Sequence, residues 1–152
     1  MMENDTRHKL KEYNDIHRQM SDTYHEIAVK LKLSVSAFTV FYTICYMGGT
    51  CSQKDICDLF YTSKQTINSC IKKLEKENYI YLKQGKGKDK SIYLTQKGQQ
   101  LVTQKIAPIL EIEQNIFLDM TEQECDMLLQ LSRKYLQCFK NKIKTIIQEE
   151  IT

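Results

Sequence analysis

Between residues 10 and 31, apolar and aromatic side chains return as Leu10, Tyr13, His17, Met20, Tyr24, Ile27 and Leu31, in steps of three and four. That spacing predicts one long amphipathic helix with a narrow, heptad-like seam. A seam of this length needs another helix to cover it, from the same chain or from a partner. The next run, AFTVFYTICYM, is apolar nearly all round and predicts a buried helix, capped by Ser34 or Ser36 and ended by Gly48-Gly49. Ser52 with Asp55 reads as a capping box, and Cys51 with Ile56 as its hydrophobic staple. Ile56, Leu59 and Phe60 give the short helix that follows one apolar face.

Thr62, with Gln65 three residues on, reads as the cap of a longer helix reaching to about Asn78. Ile67, Cys70, Ile71 and Leu74 form its core stripe. The opposite face carries Gln65, Asn68, Ser69, Lys72 and Lys76. Two alternating segments, 79–83 and 91–95, predict short strands with Ile80/Leu82 and Ile92/Leu94 turned inward, joined by QGKGKDK at residues 84–90. Thr95 caps a long helix to about Phe117, which Pro108 is expected to kink or break. Thr121 and Glu124 form a capping box for the last helix, whose apolar positions are Leu128, Leu131, Tyr135, Phe139, Ile143 and Ile146. The fold class is therefore mainly α with a minor β component. No repeat or low-complexity linker interrupts the 152 residues, which read as a single domain.

Composition narrows the choices. One proline and five glycines exclude a loop-rich or all-β fold. No apolar run approaches the ~18 residues of a membrane span, and the polar start MMENDTRHKLKEY is no signal peptide, so a cytoplasmic protein with no membrane partner is expected. Six cysteines lack any C-x-x-C pair and read mostly as small buried hydrophobes. His8, His17 and His25 are spaced too widely on one helix to share an ion, so no metal site is expected.

Charge adds the decisive contrast. The chain carries a net +3, yet between Tyr61 and Lys90 eight lysines stand against three acids. A local excess of five on an otherwise slightly acidic chain is the footprint of a polyanion site. A short helix, a tight turn and a second helix with a cationic outer face suit the DNA major groove. The residues placed to reach bases or phosphates are Ser63, Lys64, Gln65, Thr66, Asn68 and Ser69, with Lys72, Lys73 and Lys76 for the backbone. Lys83, Lys86, Lys88 and Lys90 on the hairpin extend that charge. The competing reading of the helix is an ordinary solvated amphipathic face. No catalytic arrangement and no cofactor motif is present. G-x-x-x-x-G-K is absent, and Gly85-Lys86-Gly87 precedes a strand rather than a helix N-terminus.

Residues 51–98, above all the runs IKKLEKENYI and YLTQKG, resemble the winged helix–turn–helix of the multiple-antibiotic-resistance regulator (MarR) family. The flanking helices fit as well. The resemblance implies a winged lobe over 36–98 with a two-stranded wing, and dimerisation helices over 1–35 and 99–152. It implies a homodimer on a pseudo-palindromic DNA operator, commonly a repressor released by a small hydrophobic or phenolic ligand. By family position, an effector pocket would draw on His17, Met20, Tyr24, Phe38, Phe41, Tyr42 and Cys45, although the same residues suit plain core or dimer packing. Some members sense oxidants, and Cys51 and Cys70 are the thiols nearest a helix start or the charged helix. The wing departs from the family pattern: Lys88 stands at its usual arginine, Lys86 at its aspartate and Gly87 between them. Both changes imply a tip poorly ordered until DNA holds it. Asn78 stands where the family commonly has glycine, and asparagine tolerates the left-handed turn required there. The rival class is a helical interaction protein that has lost DNA binding.

Overall fold

A computed structural model describes residues 2–85 and 90–149. Its element order is α1 (Met2–Lys30), α2 (Val35–Tyr46), β1 (Thr50–Ser52), α3 (Gln53–Phe60), α4 (Lys64–Lys76), β2 (Ile80–Gln84), β3 (Lys90–Leu94), α5 (Gln96–Leu101), a π-helical turn (Val102–Ile106), α6 (Ala107–Leu118) and α7 (Glu122–Glu149). The chain falls into two compact units, Met1–Ile109 and Leu110–Thr152.

In the first unit α2 is the core. Ser34 caps it, its hydroxyl accepting from the Ala37 N–H at 3.1 Å. Residues 37–44 are buried without a break, as an all-round apolar helix requires. Two threonines lie in that run, and each hydroxyl donates to the carbonyl four residues back: Thr39 to Val35 and Thr43 to Thr39, both at 2.8 Å. Neither hydroxyl is left unsatisfied, a state that would cost about 1–3 kcal/mol each. Phe38, Phe41, Val40 and Ile44 of α2 pack with Ile56 of α3, Ile67 of α4, and Ile80 and Ile92 of the sheet as the most buried side chains. Each such burial contributes about 1.5–3 kcal/mol. Met47 caps the helix, and Gly48 and Gly49 follow at φ +84° and +113°, where a side chain would be strained.

The sheet has three strands in the order β1-β3-β2, all antiparallel. The two-stranded wing expected from sequence is thus joined by a third strand. β1 pairs Thr50 with Tyr93, Cys51 with Ile92 and Ser52 with Ser91. It is three residues long, and only Cys51 in it is buried, too little for alternation to show. In the wing, Tyr81 lies opposite Tyr93 and Lys83 opposite Ser91. Ile80 and Ile92 are buried and Leu82 and Leu94 half-buried, the inward set the alternation predicts.

The Ser52–Asp55 capping box forms as predicted. At α4 the cap is Ser63 rather than Thr62: the Ser63 hydroxyl accepts from the Thr66 N–H at 3.1 Å. Both Thr62-x-x-Gln65 and Ser63-x-x-Thr66 satisfy the capping pattern, and the left-handed Tyr61 that ends α3 shifts the helix start by one residue. α4 closes at Lys76, two residues before the expected end, with Asn78 at φ +61° supplying the left-handed residue.

Pro108 neither breaks nor sharply ends its helix. A proline lacks the N–H for the usual bond, and its ring collides with the carbonyl four residues back. The turn before it widens, so that the Ala107 N–H bonds the Val102 carbonyl five residues back. That turn buries Val102 and Ile106 and sends the Lys105 ammonium to the Leu31 carbonyl at 3.0 Å.

In the second unit the Thr121–Glu124 capping box starts α7. The Thr121 backbone N–H, and then its hydroxyl, hold the Glu124 carboxyl below the usual carboxylate range.

Gly98 sits on α5 with its α-carbon against the Tyr79 carbonyl. A Cβ there would lie inside the contact distance of that oxygen and tight against Leu94. Gly98→Ala is expected to lower unfolding stability by about 1–3 kcal/mol in denaturant titration; unchanged stability would show that the junction yields freely.

Candidate nucleic-acid interface

The turn between α3 and α4 is short and constrained. Tyr61 is left-handed at φ 49°, ψ 40° and 97 % exposed, an uncommon state for a bulky residue. The Gln53 amide of α3 donates to the Lys64 carbonyl at 2.8 Å, tying the two helix starts together.

On α4 the predicted stripe holds. Ile67, Ile71 and Leu74 are buried and Cys70 half-buried, while Gln65, Asn68, Ser69, Lys72 and Lys76 are all exposed. Three of the candidate hydroxyls are engaged within the helix: Ser63 and Thr66 with each other at 2.8 Å, and Ser69 with the Gln65 carbonyl at 3.1 Å. Lys64 is exposed at the helix start, and Lys73 lies 3.9 Å from Glu77 one turn on.

Beside α4 lies a cleft of about 410 Å³ shared by the start of α3, the outer flank of α4 and the wing. Lys54, Asn68, Lys72, Glu75 and Lys90 line it above an apolar floor that includes Ile71 and Ile92. Three lysines from three elements therefore face one concavity with one carboxylate among them. Lys54 was not singled out in the sequence, because it lies inside the capping box, ten residues before the nearest other lysine of the cluster.

Lys83 takes the other face of the wing. Its ammonium sits 5.4 Å from the Tyr81 ring centroid and 5.3 Å from that of Tyr93. The two rings stack at 5.5 Å and 18°. Lys86 and Lys88, and with them the expectation about the wing tip, lie outside the described residues.

The effector candidates divide. Tyr24 and Phe38 line a cavity of about 320 Å³ with His25, Thr39, Phe60 and Tyr61. Tyr42 lines an adjoining one of about 310 Å³ with Tyr24 and Leu59. Tyr24, Phe38 and Tyr42 touch one another, and Tyr42 also meets Phe60 edge-on at 5.5 Å. Four candidates lie elsewhere. Phe41 lines neither cavity and meets Tyr79 at 5.8 Å. His17 packs on Tyr13 at 4.4 Å, Met20 is exposed, and Cys45 is half-buried with its thiol pushed up by burial. Phe60 and Tyr61 were missed because they come from the α3 end, which periodicity on α1 and α2 cannot reach.

Cys51 and Cys70 are poorly placed for nucleophilic chemistry. Cys51 is 5 % exposed, and burial, with the Asp55 carboxylate second, pushes its thiol up to about 12. Burial also raises Cys70, against a lowering by Lys73 and with a further rise from Glu77. Among the described residues no three His, Cys, Asp or Glu side chains come together to hold a metal ion, and no single helix is long and apolar enough to cross a membrane.

Comparison with known proteins fits this geometry. The MarR family model matches residues 26–89, from the last turn of α1 through β2. The MarR family regulator NMB1585 from Neisseria meningitidis superposes with a TM-score of 0.75 over 90 % of this chain and 96 % of its own, at 17 % identity. The fold is that of the MarR-family winged-helix regulators. The chain is also similar to a Listeria monocytogenes MarR-type regulator solved with a 26mer DNA, at 28 % identity, a TM-score of 0.63, and 88 % and 89 % coverage of the two chains. The uncharacterised HTH-type transcriptional regulator YwoH of Bacillus subtilis is 24 % identical over 132 residues, 86 % of this chain and 96 % of its own.

Burial of Cys51 has a direct chemical consequence. In the native chain at pH 8, iodoacetamide should leave Cys51 unmodified by peptide mass mapping, with modification appearing only on unfolding. Rapid native alkylation at Cys51 would restore it as a reactive thiol.

Proposed function

We propose that the chain is a sequence-specific, double-stranded-DNA-binding transcriptional regulator, acting in the cytoplasm as a homodimeric repressor. The observation that carries this reading is the cationic cleft, in which Lys54, Lys72 and Lys90 from three elements converge beside the exposed polar face of α4. The Listeria neighbour with its 26mer DNA supports it. In this reading α4 enters the major groove. Gln65 and Asn68 carry the amides that bond a base edge with two hydrogen bonds, and the lysines meet phosphates. Ser63, Thr66 and Ser69, engaged in capping and in the helix, serve mainly to set the helix start.

The apolar positions of α7 support dimerisation. Leu128, Leu131, Tyr135, Phe139 and Ile146 are all exposed, as are Leu10 and Met20 of the α1 seam. A 28-residue helix with such a face is stable in water only when another surface covers it. The cavities around Tyr24, Phe38 and Tyr42, walled by aromatic rings, hydroxyls and His25, suit a small aromatic effector carrying hydrogen-bonding groups.

Gel shifts on the DNA upstream of its own gene, over a salt series, test the DNA reading. Specific binding with a steep salt dependence is expected. Lys72→Ala and Lys90→Ala should each flatten the log–log slope by about 0.9 for every phosphate the variant no longer neutralises. Asn68→Ala should instead leave the slope unchanged and relax base preference by about 1–3 kcal/mol. No binding at low salt would favour an interaction protein. Light scattering after gel filtration should return the mass of two chains, and Leu131→Glu should return one.

A further inference from the structure

The wing carries its lysines on both faces. Strand alternation places Lys90 with Ile92, on the side of the cationic cleft that it lines. Lys83 lies with Tyr81 on the opposite face, across from Ser91 and beside Tyr93. Its ammonium is nearly equidistant from both rings, at 5.4 and 5.3 Å, and so lies over the seam between them. Both distances are inside the ~6 Å at which a ring face attracts a cation. A lysine on a solvated strand otherwise samples many rotamers, and binding has to freeze them. Here two stacked rings, on directly paired residues of adjacent strands, do that in advance.

A two-stranded ribbon lying in a groove has a phosphate backbone along each side. Lysines on opposite faces of that ribbon therefore address different strands of the duplex. We propose that Tyr81 and Tyr93 are positioning residues for DNA: together they hold the Lys83 ammonium on the outer face of the wing, where it meets a phosphate across the groove from those reached by Lys72 and Lys90. The inference rests on the DNA-binding reading above. It adds two residues that carry no charge and so leave no trace in the basic footprint. It also divides the wing lysines into two sets with separate targets. The rings act through their π systems, not their hydroxyls, because the ammonium lies within cation–π range of both ring centroids.

The experiment uses the full-length chain and the upstream DNA fragment that it retains in gel shifts, with affinity and salt slope read by fluorescence anisotropy. Lys83→Ala should flatten the slope by about 0.9 per subunit and add to the effect of Lys90→Ala. The pair Tyr81→Leu with Tyr93→Leu should weaken binding about two- to fivefold, and flatten the slope in the same direction. In the Lys83→Ala background the leucine pair should have no further effect. Tyr81→Phe with Tyr93→Phe should bind like the parent. Because the leucine pair could unsettle the sheet, the parent supplies a second reading: in the free protein, NMR should show the Lys83 ε-methylene protons shifted upfield by the rings. The proposal is overturned if the leucine pair and Lys83→Ala add independently, if the phenylalanine pair loses as much as the leucine pair, or if the ε-methylene shift is absent. Loss of all specific DNA binding by the parent chain would end the regulator reading itself, whereas parental binding untouched by Lys83→Ala would end this inference alone.

Discussion

Three successive carbonyls, those of Glu77, Asn78 and Tyr79, come off the end of α4 with no helical partner, and residues 95–97 satisfy all three. The Lys97 ammonium reaches the Glu77 oxygen at 2.9 Å, and the Thr95 hydroxyl reaches Asn78 at 2.7 Å and Tyr79 at 3.1 Å. The Thr95 N–H adds a second bond to Tyr79 at 3.0 Å. Lys97 also lies 4.0 Å from the Tyr79 ring centre, and that ring meets Phe41 in the core. Gly98 permits the whole approach by having no side chain. The chain leaves α4 here and returns from the wing, so these bonds set the angle between the helix and the hairpin. A cleft lined from both sides exists only because that angle is fixed.

Charge is distributed around this junction without being buried in it. The described lysines of α4 and of β2–β3 stay in solvent, where they cost little to keep. The ion pairs of α1 and the Lys73–Glu77 pair are exposed and contribute at most a few tenths of a kcal/mol each. Stability of the first unit rests instead on α2 and the side chains that close around it. Changing the outer lysines should therefore have little effect on folding, which leaves the surface free to vary.

Much of this was legible in the chain. An all-round apolar run gave α2, the Ser52 and Thr121 boxes gave two helix starts, and the spacing of Ile67, Ile71 and Leu74 gave the buried stripe of α4, and with it the exposed one. Local chemistry decides each of these within a few residues. What escaped was decided by distant partners. β1 is a strand because Tyr93 and Ile92 lie alongside it forty residues later. Lys54 joins the cationic cluster through the sheet and not through sequence proximity. Phe41 looked equivalent to Phe38 and Tyr42, yet on a helix buried all round only tertiary packing decides which ring faces a cavity. Ser63 and Thr62 were indistinguishable as caps until Tyr61 took its left-handed turn. Pro108 shows a different limit: the steric conflict was plain, but its relief by a wider turn depended on Val102 and Ile106 finding the core.

The brevity of β1 has a consequence for the behaviour of the protein in crowded solution. An unpaired strand edge is a template on which other chains add, the first step of edge-to-edge aggregation. β1 occupies one rim of this sheet for three residues only, and Ser52 then turns at once into the α3 cap, with its N–H already bonded to Asp55 at 2.7 Å. Little backbone is left on that rim for an incoming strand to copy. The same serine that begins a helix also closes an edge, so the sheet offers no seed for self-assembly along its β1 rim.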